Sequence, residues 1–342
     1  MINQVPIIII GIPRSGTTWI AEIFKTVSQT LYLHEPDNEK SSVLAWLYKK
    51  DIHRFPYLTA RDSNEEYEKM WRVILSGGYR LSINKFLKFL FFKRRRYAIE
   101  SAIGERTSLS YIDGSIGDVI QGNVVSPYGV DEGSLLAWLV GQYFNENNEE
   151  YEKKRLVVKS VHAPLCAEWL ASRFSMNMVI VLRNPYSLYA SLRRMKIPDS
   201  FRNPLAQKEL CRDMSLYISR FSFHKNPFDH LIFQIMLMIK VLAVQIKLNQ
   251  EWLILSHDRI CMSPERNFLQ IYNALGLEWS KRSVAKLDGL NKQGKGFNPS
   301  RVSKLEPTKW EMELSEEEKK AIDRWIDVFE LADFLNEHVL LL

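Results

Sequence analysis

Apolar residues fall along this chain in blocks that read as alternating strands and helices. Val5–Ile10 is a continuous apolar run, the pattern of a central parallel strand covered on both faces. After a short loop, Ile20, Ile23, Phe24 and Val27 recur at helical spacing, which predicts a helix beginning near Thr17. Leu31–Leu33 reads as a strand running into His34-Glu35-Pro36-Asp37-Asn38, where the proline and the Asp/Asn pair mark a loop. Strand patterns return at Leu156–Lys159, Asn177–Leu182 and Trp252–Ser256. Each leads into a helix: Pro164–Arg173, Pro185–Arg194, and one with Pro264 in its first turn that ends at Gly276. Ser315-Glu316-Glu317-Glu318 carries a capping box at the start of a last helix. Alternation of this kind predicts an α/β fold with a central parallel sheet flanked by helices.

Between residues 40 and 150 the strand signal lapses. Helical patterns at 43–50 and 65–75 precede a basic, aromatic stretch at 85–96, and a glycine-rich loop runs over 113–133. The expectation is one domain over 1–342, with 40–150 a mostly helical insertion capping the core. The apolar stretch 231–248 contains Gln234, Lys240, Gln245 and Lys247, so it reads as an amphipathic or core helix, not a membrane span.

Composition narrows the class. With 46% hydrophobic, 12% aromatic and 25% charged residues, a largely disordered chain is excluded. Three widely spaced cysteines, an odd count, exclude a disulfide framework and a CxxC metal knuckle, and fit a reducing compartment. The net charge of +6 is uneven: Lys69 to Ile99 holds nine Lys/Arg and no acid, and Lys281 to Lys309 holds eight against two. Such local basic segments on an acidic body point to anionic ligands at particular places, not to a nucleic-acid coat. Residues 1–6 lack a positive n-region and 7–10 are too short for an h-region, so the expectation is a cytosolic protein.

The loop Gly11-Ile12-Pro13-Arg14-Ser15-Gly16-Thr17-Thr18 lies between a buried strand and a helix. Backbone N–H groups and the helix dipole make such a loop an anion site. Gly11 and Gly16 match the outer frame of the nucleotide P-loop GxxxxGK[ST], but Thr17 stands at the lysine position and the cation has moved to Arg14. A P-loop kinase needs that lysine on the transferred phosphates. A kinase and a non-catalytic nucleotide- or polyanion-binding module remain the rival readings.

Pro13-Arg14-Ser15-Gly16-Thr17-Thr18-Trp19 resembles the 5′-phosphosulfate loop of sulfotransferases that use 3′-phosphoadenosine 5′-phosphosulfate (PAPS), and Arg at position 14 resembles their bacterial and carbohydrate-type branch. Val179–Tyr186, with Arg183 at a strand end and Ser191 eight residues later, resembles the family's 3′-phosphate signature. An arginine there can grip a phosphate by a bidentate contact and a serine by its hydroxyl. Leu33–Pro36, Ser256–Ile260 with Pro264, and Lys304–Trp310 extend the resemblance along the chain.

The resemblance implies a P-loop-like sulfotransferase core, a PAPS donor and a hydroxyl acceptor, with the insertion 40–150 near the acceptor. Sulfuryl transfer needs a base for the hydroxyl and cations for the leaving phosphate, and no metal. Arg14 would meet the 5′-phosphate and bridging oxygen. Ser15, Gly16, Thr17 and Thr18 would cradle the phosphosulfate, Arg183 and Ser191 would hold the 3′-phosphate, and Lys159 would support the leaving group. Trp19 is a candidate to stack on adenine or to sit in the core. Two residues compete for the base: Glu35, the base position of related carbohydrate enzymes, and His162, near the histidine of small-molecule enzymes. The Lys159-to-His162 spacing is three instead of the family's two, which on a continuing strand would turn His162 to the other face. The acceptor reads as a carbohydrate, glycolipid or other small hydroxyl compound. The 85–96 segment reads as a solvated basic helix end, a peripheral membrane contact or an acidic-glycan contact.

Overall fold

A computed structural model describes residues 5–38, 42, 45, 48–49, 52–76, 154–195, 204–220, 229–294 and 298–339. Most of the 40–150 insertion, including 85–96, lies outside the described residues.

Five strands form one parallel sheet: β1 (Ile7–Gly11), β2 (Thr30–His34), β3 (Arg155–Ser160), β4 (Asn177–Leu182) and β5 (Leu253–Ser256), in the order β2-β3-β1-β4-β5. β1 is the centre. Its isoleucines alternate between the faces, as strand side chains must. Ile8 and Ile10 join one core and Ile7 and Ile9 the other, and all four are wholly buried. This double burial is why β1 reads as an unbroken apolar run.

Helices cover each face. On one lie α1 (Thr17–Phe24), α6 (His257–Met262), α7 (Pro264–Ala274) and α8 (Lys281–Leu290), with Ile20, Ile23, Phe268 and Leu287 against Val157 and Val179. On the other lie α2 (Glu65–Leu75), α3 (Ala167–Arg173), α4 (Pro185–Arg194), α5 (Asp229–Leu248), α9 (Glu316–Val328) and α10 (Ala332–His338), with Trp71, Trp169, Leu237 and Trp325 against Val158 and Ile180. The helix α5 is long and apolar enough to cross a membrane, but 67% of that span is packed inside the protein. Its first residue, buried Asp229, accepts a hydrogen bond from Trp325 Nε1 at 2.7 Å and pairs with Arg324, which ties α5 to α9. The capping box of α9 is formed: Glu318 N–H donates to Ser315 Oγ at 3.2 Å and Ser315 N–H to Glu318 Oε2 at 2.9 Å. Tyr189 O–H donates to Glu318 at 2.9 Å, so the cap also anchors α4.

Register matters most for the site. His34 pairs with Lys159, Ile10 with Ser160, Gly11 with Val181 and Leu182 with Ser256. The carboxyl ends of the five strands are therefore level, and the segments just beyond them share one edge. Open α/β sheets bind ligands at that edge, where the strand order reverses.

Candidate active site

The β1–α1 loop is drawn tight by its two glycines. A Cβ on Gly11 would collide with Ser15 Oγ and lie 2.8 Å from the Val181 carbonyl oxygen. Gly16 caps α1 at φ +91°, and a Cβ there would run into the His257 ring. Only glycine fits either place. Between them Arg14 adopts φ +74°, a left-handed conformation that costs a side-chain-bearing residue on the order of 1–3 kcal/mol.

That conformation turns Arg14 toward the end of β4. Arg14 Nε donates to Ser191 Oγ at 3.0 Å, and Arg183 donates back to the Arg14 carbonyl at 3.0 Å. Arg183 also pairs with Glu306 at 2.9 Å. Two sequence segments about 170 residues apart thus meet in one cluster. Burial, then the neighbouring guanidinium groups of Arg183, Arg301 and Arg194, bring the Arg14 pKa down to about 10, with Glu306 partly offsetting them. Like charges gathered this closely favour a polyanion between them.

Two buried donors beside this cluster are unmatched. Ser15 Oγ and Arg183 Nε are buried with no hydrogen-bond partner among the described residues. Buried donors left unmatched cost about 1–3 kcal/mol each, which a phosphate oxygen would relieve. Thr17 is buried at the start of α1 and Thr18 is half-buried beside it.

Trp19 lies elsewhere. It is 6% exposed and meets His257 and Phe268 edge-on, with ring centres 5.7 and 5.4 Å away. This packing supports the core alternative for Trp19 over adenine stacking.

The second cluster gathers both candidate bases. Glu35 N–H donates to the Lys159 carbonyl at 2.7 Å, which lays the post-β2 loop along the end of β3. Glu35 has φ +45°, so Arg14 and Glu35 are two of the three non-glycine residues with positive φ among those described. Strain of this kind concentrates at functional sites. The Glu35 carboxylate is ion-paired with Lys159 Nζ and accepts from Asn38 Nδ2 at 3.0 Å. Burial alone would push its pKa up. Lys159, His34 and His162 and the lysine hydrogen bond outweigh that and hold it well below the usual carboxylate range. His34, half-buried and facing Lys159, is lowered to about 4 by desolvation and then by that lysine.

His162 joins this cluster because β3 stops at Ser160. The parity of a continuing strand no longer applies, and a bend at Val161-His162 carries the ring back. His162 Nε2 lies 3.7 Å from Glu35 Oε2, and its ring stacks on Phe55 with centres 5.3 Å apart and planes 5° from parallel. Glu35, Lys159 and His162 are each 1–2% exposed. The rival bases are neighbours.

Sequence reasoning did not single out Arg194, Arg301, Glu306, Asp258, Asp37 or Ser160 for the site. Asp258 accepts from the Asn184 N–H at 2.8 Å and holds the β4–α4 turn. A workable signal existed: Asp37, Ser160 and Asp258 all stand at or just after the carboxyl end of a strand.

Asp37 gives a separate test by pH. It is wholly buried, and burial raises its pKa to about 6 despite Lys49 and a hydrogen bond from Ser160. A raised carboxyl destabilises the fold as pH rises from its unfolded value near 4 through 6. Asp37→Asn removes that titration and keeps an acceptor. It should melt higher than wild type at pH 8, by up to about 3 kcal/mol of stability, and the gain should vanish near pH 4. Thermal denaturation across that range reads it. An equal difference at both pH values would show that Asp37 does not titrate in this window.

The family profile described as "Sulfotransferase domain" matches residues 4–334. No curated protein matches the chain. Three solved structures align over most of it. Sulfotransferase STF9 from Mycobacterium avium shares 13% identity over 98% of this chain and 77% of that one, TM-score 0.40. The sulfotransferase domain from the curacin biosynthetic pathway shares 15% over 95% and 98%, TM-score 0.47. The sulfotransferase domain of the Synechococcus PCC 7002 olefin synthase shares 12% over 96% and 95%, TM-score 0.44. Those likenesses are too distant to inform the site.

Proposed function

The chain belongs to the sulfotransferase-domain family, and from that membership we propose that it transfers the sulfuryl group of PAPS to a hydroxyl of a carbohydrate, glycolipid or similar small acceptor. One observation carries the donor assignment: Arg14 of the glycine loop contacts both Arg183 and Ser191 of β4–α4. A nucleotide with phosphates at both its 5′ and 3′ positions suits two cationic sites held this close. Arg14, Ser15, Thr17 and Thr18 with the loop N–H groups would hold the 5′-phosphosulfate, and Arg183 and Ser191 the 3′-phosphate. PAPS supplies the activated sulfuryl group, and the reaction needs no metal. Arg183 pairs with Glu306, and Arg14 Nε donates to Ser191. Anion binding would exchange these contacts for phosphate oxygens, at charge-assisted strength.

Lys159, Glu35 and His162 form the acceptor side. Lys159 shares a face with Val157 and Ile9, the face that α1 covers, and so belongs beside the phosphate loop. There it offsets charge on the leaving phosphate. His162 takes the acceptor proton, and the Glu35 carboxylate stabilises the imidazolium that results, as in other His–carboxylate pairs. Arginine at position 14 and the Glu35 segment favour a carbohydrate-type acceptor.

The direct test is a screen of labelled PAPS against sugars, lipids and phenols. Donor recognition is tested by Arg183→Ala and Ser191→Ala. Both should weaken adenosine 3′,5′-bisphosphate far more than 5′-AMP, with about 1.5–3 kcal/mol lost for the arginine. Calorimetric titration of both nucleotides reads this. Equal losses would remove the 3′-phosphate assignment.

A further inference from the structure

The loop that bears Glu35 and the bend that bears His162 are joined by a link that plays no part in the chemistry proposed above. Ser160 O–H donates to Asp37 Oδ2 at 2.6 Å. The same Ser160 oxygen accepts the His162 N–H at 3.0 Å and the Ala163 N–H at 3.1 Å. One hydroxyl thus ends β3, caps the turn that carries His162, and fastens that turn to the residue two places beyond Glu35. Its hydrogen-bonding capacity is fully used.

The other side of Asp37 is tied as well. Lys49 Nζ donates to the Asp37 carbonyl at 2.9 Å and to the Arg54 carbonyl at 2.8 Å. The second bond places Phe55 next in the chain, and Phe55 is the ring on which His162 stacks. Gln207 Nε2 fixes the Phe55 carbonyl at 3.0 Å. Asp37 is wholly buried, and its Oδ1 has no hydrogen-bond partner among the described residues. A buried, half-matched carboxylate is costly for stability alone. A cost of this kind at a site edge is characteristic of residues kept for function.

We propose that Asp37 and Ser160 are positioning residues, a buckle that holds the Glu35 loop and the His162 turn together as one proton-accepting unit. The buckle touches neither donor nor acceptor. It acts through His162, whose ring it keeps between the Glu35 carboxylate and the face of Phe55. The inference rests on the sulfuryl-transfer reading for its consequence, but not for its geometry.

The experiment therefore reads both. In the protein without nucleotide or acceptor, the His162 ring protons should show the shift of a ring stacked on Phe55. Ser160→Ala should move those resonances toward the unstacked position, and Ser160→Thr, which keeps the hydroxyl, should restore them. Because Ser160→Ala also uncaps the turn, Asp37→Ala serves as the second variant: it breaks the buckle and leaves the cap. In turnover with an acceptor from the screen, both alanine variants should lose about 10- to 100-fold in kcat with donor KM within about twofold, a misplacement signature. Unmoved His162 resonances in folded Ser160→Ala or Asp37→Ala would overturn the buckle whatever the enzyme's reaction. Moved resonances with kcat unchanged would limit the link to structure and overturn its positioning role. Failure of the donor reading would appear separately, as nucleotide binding indifferent to Arg183.

Discussion

Replacing Arg14 by alanine should lower kcat by about 10²-fold or more, equivalent to roughly 2.7 kcal/mol of transition-state stabilisation. The expectation comes from where the guanidinium is held. Its backbone is fixed at φ +74° by a loop closed on Gly11 and Gly16, and its Nε already points across to Ser191. The charge is thus placed before reaction and needs little reorganisation. Negative charge on the leaving phosphate grows in the transition state, so a cation at that phosphate contributes more there than in the ground state. Steady-state kinetics separate the cases, since a rise in donor KM with kcat intact would reduce Arg14 to ground-state binding. The fold should not suffer. Arg14 stands among Arg183, Arg194 and Arg301, whose repulsion helps bring its pKa down to about 10, and its removal relieves them. A chelator should leave the wild-type rate intact, whereas strict dependence on Mg²⁺ would favour the kinase reading.

The meeting of Arg14, Arg183 and Ser191 was legible in the sequence for a physical reason. A parallel strand buried on both faces must be continuously apolar, so β1 and β4 announce their ends. Residues just past those ends lie at the binding edge of the sheet, and Arg14 and Arg183 each stand within three residues of one. The helix α4 could be bounded as Pro185–Arg194, with proline at its first turn and arginines in its last. Ser191 then falls on the second turn, facing back to the loop.

The Glu35–Lys159–His162 cluster was less legible because its decisive facts are tertiary. Whether His162 faces Glu35 depends on β3 ending at Ser160, and Val161 would extend a strand equally well by composition. Strand termination there comes from the Ser160 hydroxyl taking the His162 and Ala163 N–H groups, with Asp37 accepting its proton from far away in sequence. Trp19 shows the same limit. Two threonines before a tryptophan look alike whether the ring is open to a base or covered, and the cover comes from His257 and Phe268. Arg301 and Glu306 belong to a segment with no strand to place it, so their approach to Arg14 and Arg183 could only be found in three dimensions.

The proximity of Glu35 and His162 changes what mutation should show. Had either been the base alone, the other would be a bystander costing about tenfold through positioning. With 3.7 Å between Nε2 and Oε2, both should matter. Glu35→Gln and His162→Ala are each expected to lose about 10²–10⁴-fold in kcat. The double variant should lose no more than about tenfold beyond the worse single one, because residues that act as a unit are not additive. The pH profile assigns the roles. Lys159 and its neighbours hold Glu35 well below the usual carboxylate range, so Glu35 is already ionised and produces no rising limb above about pH 5. A limb near neutrality belongs to a histidine base, with the rate rising as the ring loses its proton. In Glu35→Gln that limb should move to lower pH, since the carboxylate no longer favours the charged ring. Donor affinity should hold or improve in the same variant, because one negative charge near an anionic nucleotide has been removed. A flat profile above about pH 6, with Glu35→Gln inactive and His162→Ala down only about tenfold, would make Glu35 the base by itself. Near-normal turnover of Glu35→Gln, with the limb abolished in His162→Ala, would leave His162 acting without its partner.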